Sequence, residues 1–228
     1  TAHWQEAGAE RSARWRSEAG LPPPKRIVIA DDSLSADAAY KLACEGGTLL
    51  WRGDYQNARQ LLQALARRVD RKGAKPGATP LESFHLHRQA QGRRAQILSR
   101  LVLPLDADYA IPLRRAPDLR QACREAYGEG GEASLVSLRE LLGLVGAHEW
   151  RKKGVEVKAL AARIHPHYGV FAPIRGEYVD LAADAPLPGA ELAFDIGTGS
   201  GVLAALLAKR GVARVVATDQ DPRALACA

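Results

Sequence analysis

Leu192-Ala193-Phe194-Asp195-Ile196-Gly197-Thr198-Gly199-Ser200-Gly201 reads as a short buried strand running into a glycine turn. An Ala/Leu-rich stretch from Val202 to Arg210 follows and closes on Gly211. Arg214-Val215-Val216-Ala217-Thr218 then reads as a second strand, ending in Asp219, and Asp221-Pro222 starts another helix. Strand, glycine turn, helix, strand and acid in this order open a doubly wound, Rossmann-like α/β sheet that binds a nucleotide cofactor.

Each part has a physical use. Glycines between a strand and a helix permit positive φ and let a ligand approach the backbone closely. The helix start offers unpaired N–H groups and the positive end of its dipole. An acid ending the second strand accepts hydrogen bonds from ribose hydroxyls, and Asp219 stands 18 residues beyond Gly201, close to the roughly 20 of that arrangement. The glycine pattern is GxGxG, because Val202 stands where a dinucleotide fingerprint has its third glycine. Asp195, two residues before the first glycine, suits a cofactor bearing a positive amino group and sulfonium better than a pyrophosphate. No Gly-Lys-Ser/Thr follows the turn, so a P-loop is excluded.

On these residues the segment resembles class I S-adenosylmethionine-dependent methyltransferases. Asp195 to Gly201 looks like their first motif, and Ala217-Thr218-Asp219-Gln220-Asp221-Pro222 like their second. The resemblance implies S-adenosyl-L-methionine as cofactor. Gly197, Thr198, Gly199 and Gly201 would pass under its methionine part, and Asp195 would help hold its amino group. Asp219 would bind the ribose, and Gln220 would lie near the adenine. Upstream, His165 to Val179 is similar to the pre-motif segment of the small-domain methyltransferases, which include release-factor glutamine and RNA N-methyltransferases. Pro173 and Glu177 carry that likeness. Phe171 and Arg175 are further pocket candidates, and a packed connector is the alternative.

The resemblance covers roughly residues 165–228. The family's catalytic motif, an Asn or Asp before Pro-Pro and an aromatic residue, follows a later strand and does not occur in this part of the chain. No catalytic residue is therefore assigned. Two parallel strands, apolar on both faces, are not expected to stand alone, so the chain is expected to be part of a longer protein.

Outward from this segment the signals weaken. Residues 1–153 are expected to form a mostly α-helical N-terminal domain that selects substrate, 154–189 a hairpin and connector, and 190–228 the start of the methyltransferase domain. A helix is expected over residues 3–19, with Gly8 inside it, ended by Pro22-Pro23-Pro24. Arg26 to Ala30 is a β-branched run that suits a strand. Ser35 caps a helix to Glu45, helix resumes through Leu49-Leu50-Trp51, and a turn at Gly53-Asp54 leads to another with Ala58, Leu61, Leu62, Leu65 and Ala66 at helical spacing. Leu50 to Ala66 faintly resembles a tetratricopeptide hairpin, without a second copy. A basic linker from Arg71 to Thr79 precedes a helix capped by Thr79, Pro80 and Glu82, which should run to about Leu101. Its Arg88, Arg93, Arg94 and Arg100 form positive surface, the ordinary state of a solvated helix face. A short helix from Pro117 to Tyr127 is expected. Ser137 and Glu140 start another that ends at Arg151-Lys152-Lys153-Gly154. Val155-Glu156-Val157 pairs with Ala162 to His165 as a hairpin.

Composition bounds the function classes. Of 228 residues, 46% are hydrophobic and 25% charged, which suits a globular protein with a real core. No apolar run approaches the roughly 18–20 residues that span a bilayer, and the N-terminus lacks a secretory pattern. Cys44, Cys123 and Cys227 are scattered, without CxxC spacing, as in a reducing compartment. A cytoplasmic protein with no membrane partner is expected. His165 and His167 have no third ligand nearby, and His85 and His87 fall on a helix, where that spacing diverges, so no metal is expected.

The net charge is +6, but residues 1–160 hold 26 Lys+Arg against 19 Asp+Glu, and residues 161–228 hold 6 against 7. That asymmetry fits an anionic partner such as RNA, and it also fits basic residues that simply solvate helix surfaces in an Arg-rich protein, the reading the composition favours. The leading reading is an S-adenosylmethionine-dependent methyltransferase, N-methylating a protein or RNA acceptor. Two alternatives stand beside it: a non-catalytic basic RNA- or protein-binding module with a vestigial cofactor fold, and an NAD-dependent oxidoreductase, which Val202 disfavours.

Overall fold

The computed structural model describes residues 1–71 and 77–228. The chain divides into two compact units, Thr1–Gly143 and Leu144–Ala228. Most of the basic linker lies outside the described residues.

The first unit opens with β1 (Ala2–Glu6) and β2 (Ala9–Arg16), then β3 (Ile27–Ala30), α1 (Ala36–Cys44), β4 (Thr48–Trp51) and α2 (Tyr55–Asp70). α3 (Pro80–Leu98), β5 (Leu101–Leu105), α4 (Arg120–Tyr127), β6 (Ser134–Ser137) and the start of α5 (Leu138–Lys153) follow. The six strands form one mixed sheet in the order β1-β2-β6-β5-β4-β3. β3, β4 and β5 run parallel, β6 is antiparallel to β5, and β2 lies parallel to β6 with Trp15 opposite Leu135. This corrects the expectation of a mostly helical domain over residues 1–153: the region is mixed α/β.

The corrections have local causes. The expected helix over residues 3–19 is a hairpin, in which Ala7 and Gly8 both take positive φ, 52° and 77°, to make its turn. Ala2, Trp4, Ala13 and Trp15 alternate with polar residues and pack with Leu50, Val102 and Leu135 on one sheet face. Leu49-Leu50-Trp51 belongs to β4, buried along its whole length, so the tetratricopeptide-like pair of helices does not form. A central parallel strand is covered on both faces and reads as an unbroken apolar run. Neither β5 nor β6 is announced by the periodicity.

The caps follow expectation. Ser35 Oγ accepts from Ala38 N, Thr79 Oγ1 from Glu82 N and Ser137 Oγ from Glu140 N. Ala58, Leu61, Leu62 and Leu65 form the buried stripe of α2.

The loops after β3 and β4 converge on a buried carboxylate. Asp54 caps α2 through Gln56 N and accepts from Arg115 Nε at 2.6 Å and Arg114 Nε at 3.2 Å. Its carboxyl is held down at about 2, chiefly by the Arg115 hydrogen bond. Asp32 accepts from the Asp54 N–H and from Asn57. On another side, buried Arg16 lies over the rings of Tyr109 and Tyr127 and donates to Ser134.

The second unit begins within α5. Gly154, at φ 72°, ends that helix, and a Cβ there would come 2.8 Å from the His165 ring. The expected hairpin is present: β7 (Val155–Val157) pairs antiparallel with β8 (Ala162–Ile164). α6 (Glu177–Asp184), β9 (Leu192–Ile196), α7 (Val202–Lys209), β10 (Arg214–Thr218) and α8 (Pro222–Cys227) complete it. β9 and β10 form a two-stranded parallel sheet. Val157, Val179, Val202 and Leu206 make the core between hairpin, α6 and α7. Lys209 Nζ donates to Ala159 O, and the Arg210 guanidinium to the carbonyls of Ala182 and Ala185, tying α7 to its neighbours. Leu192, Phe194 and Ile196 line one face of β9 and are 48%, 61% and 76% exposed, so the strand expected to be buried is open on this face.

Candidate cofactor site

Both strands of the small sheet end together. Gly197 N and Thr198 N donate to Thr218 O, each at 2.8 Å, so the start of the glycine turn is bonded to the end of β10. Gly197, Gly199 and Gly201 take φ of 78°, 57° and 77°, a region costly for residues with a Cβ. A Cβ at Gly197 or Gly199 would meet nothing within 4 Å, whereas one at Gly201 would come 3.0 Å from Ala228. The first two glycines therefore border open space, and the third is needed for packing as well.

Asp195 and Asp219 divide the work. Asp195 is buried, and its Oδ2 accepts from Thr198 Oγ1 at 2.7 Å and from Ala204 N at 3.0 Å. It thus fixes the turn and satisfies an amide in the first turn of α7. Asp219 accepts from Asp221 N through Oδ1 and from Gly199 N through Oδ2, both at 2.9 Å. The N–H groups of Asp221 and Gly199 hold its carboxyl below the usual carboxylate range. Asp219 is therefore an ionised, acceptor-only group beside the open side of the glycine turn, as a ribose diol requires.

Gln220 is exposed next to Asp219. Val202 is buried in the core cluster, so the position of a dinucleotide fingerprint's third glycine is filled by packing. Phe171 is exposed and meets Tyr178 edge to face, with ring centroids 6.2 Å apart. Arg175 is exposed just before α6. Those two remain candidates by resemblance. Pro173 is buried, and Glu177 is the exposed first residue of α6. His165 Nδ1 lies 2.6 Å from Arg151 O. Arg223 of α8 lies over the Tyr168 ring, so the segment after β8 reaches the helix that follows Asp219.

Tyr178 and Ser200 are not singled out by the motif. Tyr178 packs against the core, and its hydroxyl is pushed up by burial and by the Asp195 charge. Its only signal in the sequence is its place beside Glu177. Ser200 is buried within the turn itself.

The family model of the ribosomal protein L11 methyltransferase (PrmA) matches residues 182–228. No curated protein matches the chain. Among the described residues no helix is long and apolar enough to cross a membrane. The matched segment contains the whole glycine turn and Asp219, and the match supports a class I S-adenosylmethionine-dependent methyltransferase in the second unit.

Proposed function

We propose that the second unit binds S-adenosyl-L-methionine and that the protein N-methylates a protein or RNA acceptor in the cytoplasm. The observation that carries the reading is the Gly199–Asp219 hydrogen bond, which puts a glycine turn with open space on one side against an ionised acceptor. Gly197 and Gly199 would let the methionine part approach the backbone, and Asp219 would accept from the ribose hydroxyls. Asp195 would keep the turn and the start of α7 in register and place negative charge near the amino group. Gln220 would border the adenine. When bound, the cofactor supplies an electrophilic methyl group on a sulfonium.

Calorimetric titration with S-adenosylmethionine, S-adenosylhomocysteine and NAD tests this. The two sulfur ligands are expected to bind, NAD is not, and Asp219→Ala should weaken binding about 10- to 100-fold, the loss of hydrogen bonds to a charged acceptor. A well-folded protein that binds neither sulfur ligand would overturn the reading.

A further inference from the structure

The positive charge of the first unit is not spread over it. From Tyr55 to Arg100 the described residues carry eight arginines against only Asp70 and Glu82. The rest of the unit, residues 1–54 and 101–143, holds 12 Lys+Arg against 15 Asp+Glu. The cationic face thus belongs to α2 and α3 alone. Arg68 is paired with Asp37 and Arg94 with Asp70. Arg67, Arg71, Arg88 and Arg93 are exposed, and none has a carboxylate at ion-pair distance among the described residues.

α3 differs from an ordinary solvated helix. Of its 19 residues only Ile97 and Leu98, at its C-terminal end, are buried. Phe84 is 54% exposed, the Arg88 guanidinium lies 5.9 Å from its ring centroid, and His85 meets it edge to face at 5.7 Å. An exposed aromatic ring with an unpaired arginine beside it, on a helix that carries further exposed arginines, is the combination that takes an unstacked base on the ring and phosphates on the guanidinium forks. A nucleic-acid duplex or an acidic peptide would use the charge and leave Phe84 in water.

We propose that the solvent face of α2 and α3 docks single-stranded RNA. Together with the methyltransferase reading, on which this extension rests, this docking makes RNA the acceptor class.

The test uses the whole chain and fluorescence anisotropy with a labelled single-stranded RNA of about 20 nucleotides, a duplex of the same length and poly-glutamate. The expected result is salt-sensitive binding of the single strand. Phe84→Ala should weaken it about 5- to 100-fold while leaving duplex binding unchanged. Arg67→Glu, Arg71→Glu, Arg88→Glu and Arg93→Glu combined should abolish it. All five positions are exposed, so thermal melts should match the parent. Absence of RNA binding, or binding indifferent to both variants, would overturn the proposal. So would poly-glutamate binding as tightly as RNA with no effect of Phe84→Ala, which would assign the face to an acidic protein. Titration of the same variants with S-adenosylmethionine separates the two readings, since cofactor affinity should not move.

Discussion

Gly199 N–H donates to Asp219 Oδ2 at 2.9 Å, which makes the turn after one strand and the acid after its neighbour a single hydrogen-bonded unit. Because backbone N–H groups hold Asp219 ionised, its folded pKa lies below its unfolded value. Its contribution to stability is full above the unfolded value and lost as pH falls through the folded one. Cofactor affinity is therefore expected to stay flat from pH 8 to 5 as far as Asp219 is concerned, and calorimetry across that range checks it.

Gly199→Ala and Gly201→Ala separate the two uses of glycine. Both place a Cβ at positive φ, costing about 1–2 kcal/mol. Only the Gly201 variant also pushes against Ala228, 3.0 Å away. The expected outcome is a larger drop in melting temperature for Gly201→Ala. For Gly199→Ala the larger effect should be on S-adenosylmethionine affinity, because its Cβ enters the open space proposed for the cofactor.

Val202→Gly is expected to destabilise by about 2–4 kcal/mol, since it empties a buried site and puts glycine at a helix start. It should not confer NAD affinity despite completing the dinucleotide pattern. Denaturant melts and an NAD titration check both halves.

Asp54→Asn should lower the melting temperature by on the order of 5 °C, through a weakened cap and the loss of its ion pairs with Arg115 and Arg114. The Asp54 carboxyl sits at about 2 when folded, so its stabilisation is complete above its unfolded value near 4 and fades as pH falls towards 2. The variant should flatten that part of the acid-stability curve, read by circular dichroism.

Cys123 is buried, and burial pushes its thiol up to about 11; Cys44 is exposed. A thiol reagent at pH 8 should modify Cys44 within minutes and reach Cys123 only on unfolding, since the thiolate is the reacting form. Peptide mapping after a short pulse distinguishes the two.

The second unit was open to sequence reading because its signals are local. Three glycines with positive φ, an Asp-Pro helix start and two short apolar strands each declare themselves within a few residues. The first unit hid its sheet for two reasons. Thr48 to Trp51 is buried on both faces, so it lacks the alternation that separates strand from helix. Residues 2–16 alternate, but their small and charged members also suit a helix, and Gly8 reads as a flaw until it is seen as the turn. At the site, the motif pointed to Asp195 and Asp219 together. Only the geometry shows that Asp195 is turned towards Thr198 and Ala204. Phe84 stood unremarked because exposure of a ring is a tertiary property.

The parallel pairing of β2 with β6 joins Arg14 to Ser134 across the sheet, and Arg16 to Ser134 across 118 residues of chain. During synthesis the hairpin of β1 and β2 leaves the ribosome before β6, the strand that β2 pairs with. Long-range closure of this kind slows folding, because the loop entropy is lost before the contact forms. The hairpin should therefore join the rest of the sheet late, and Trp4 and Trp15 on it are natural reporters of that moment.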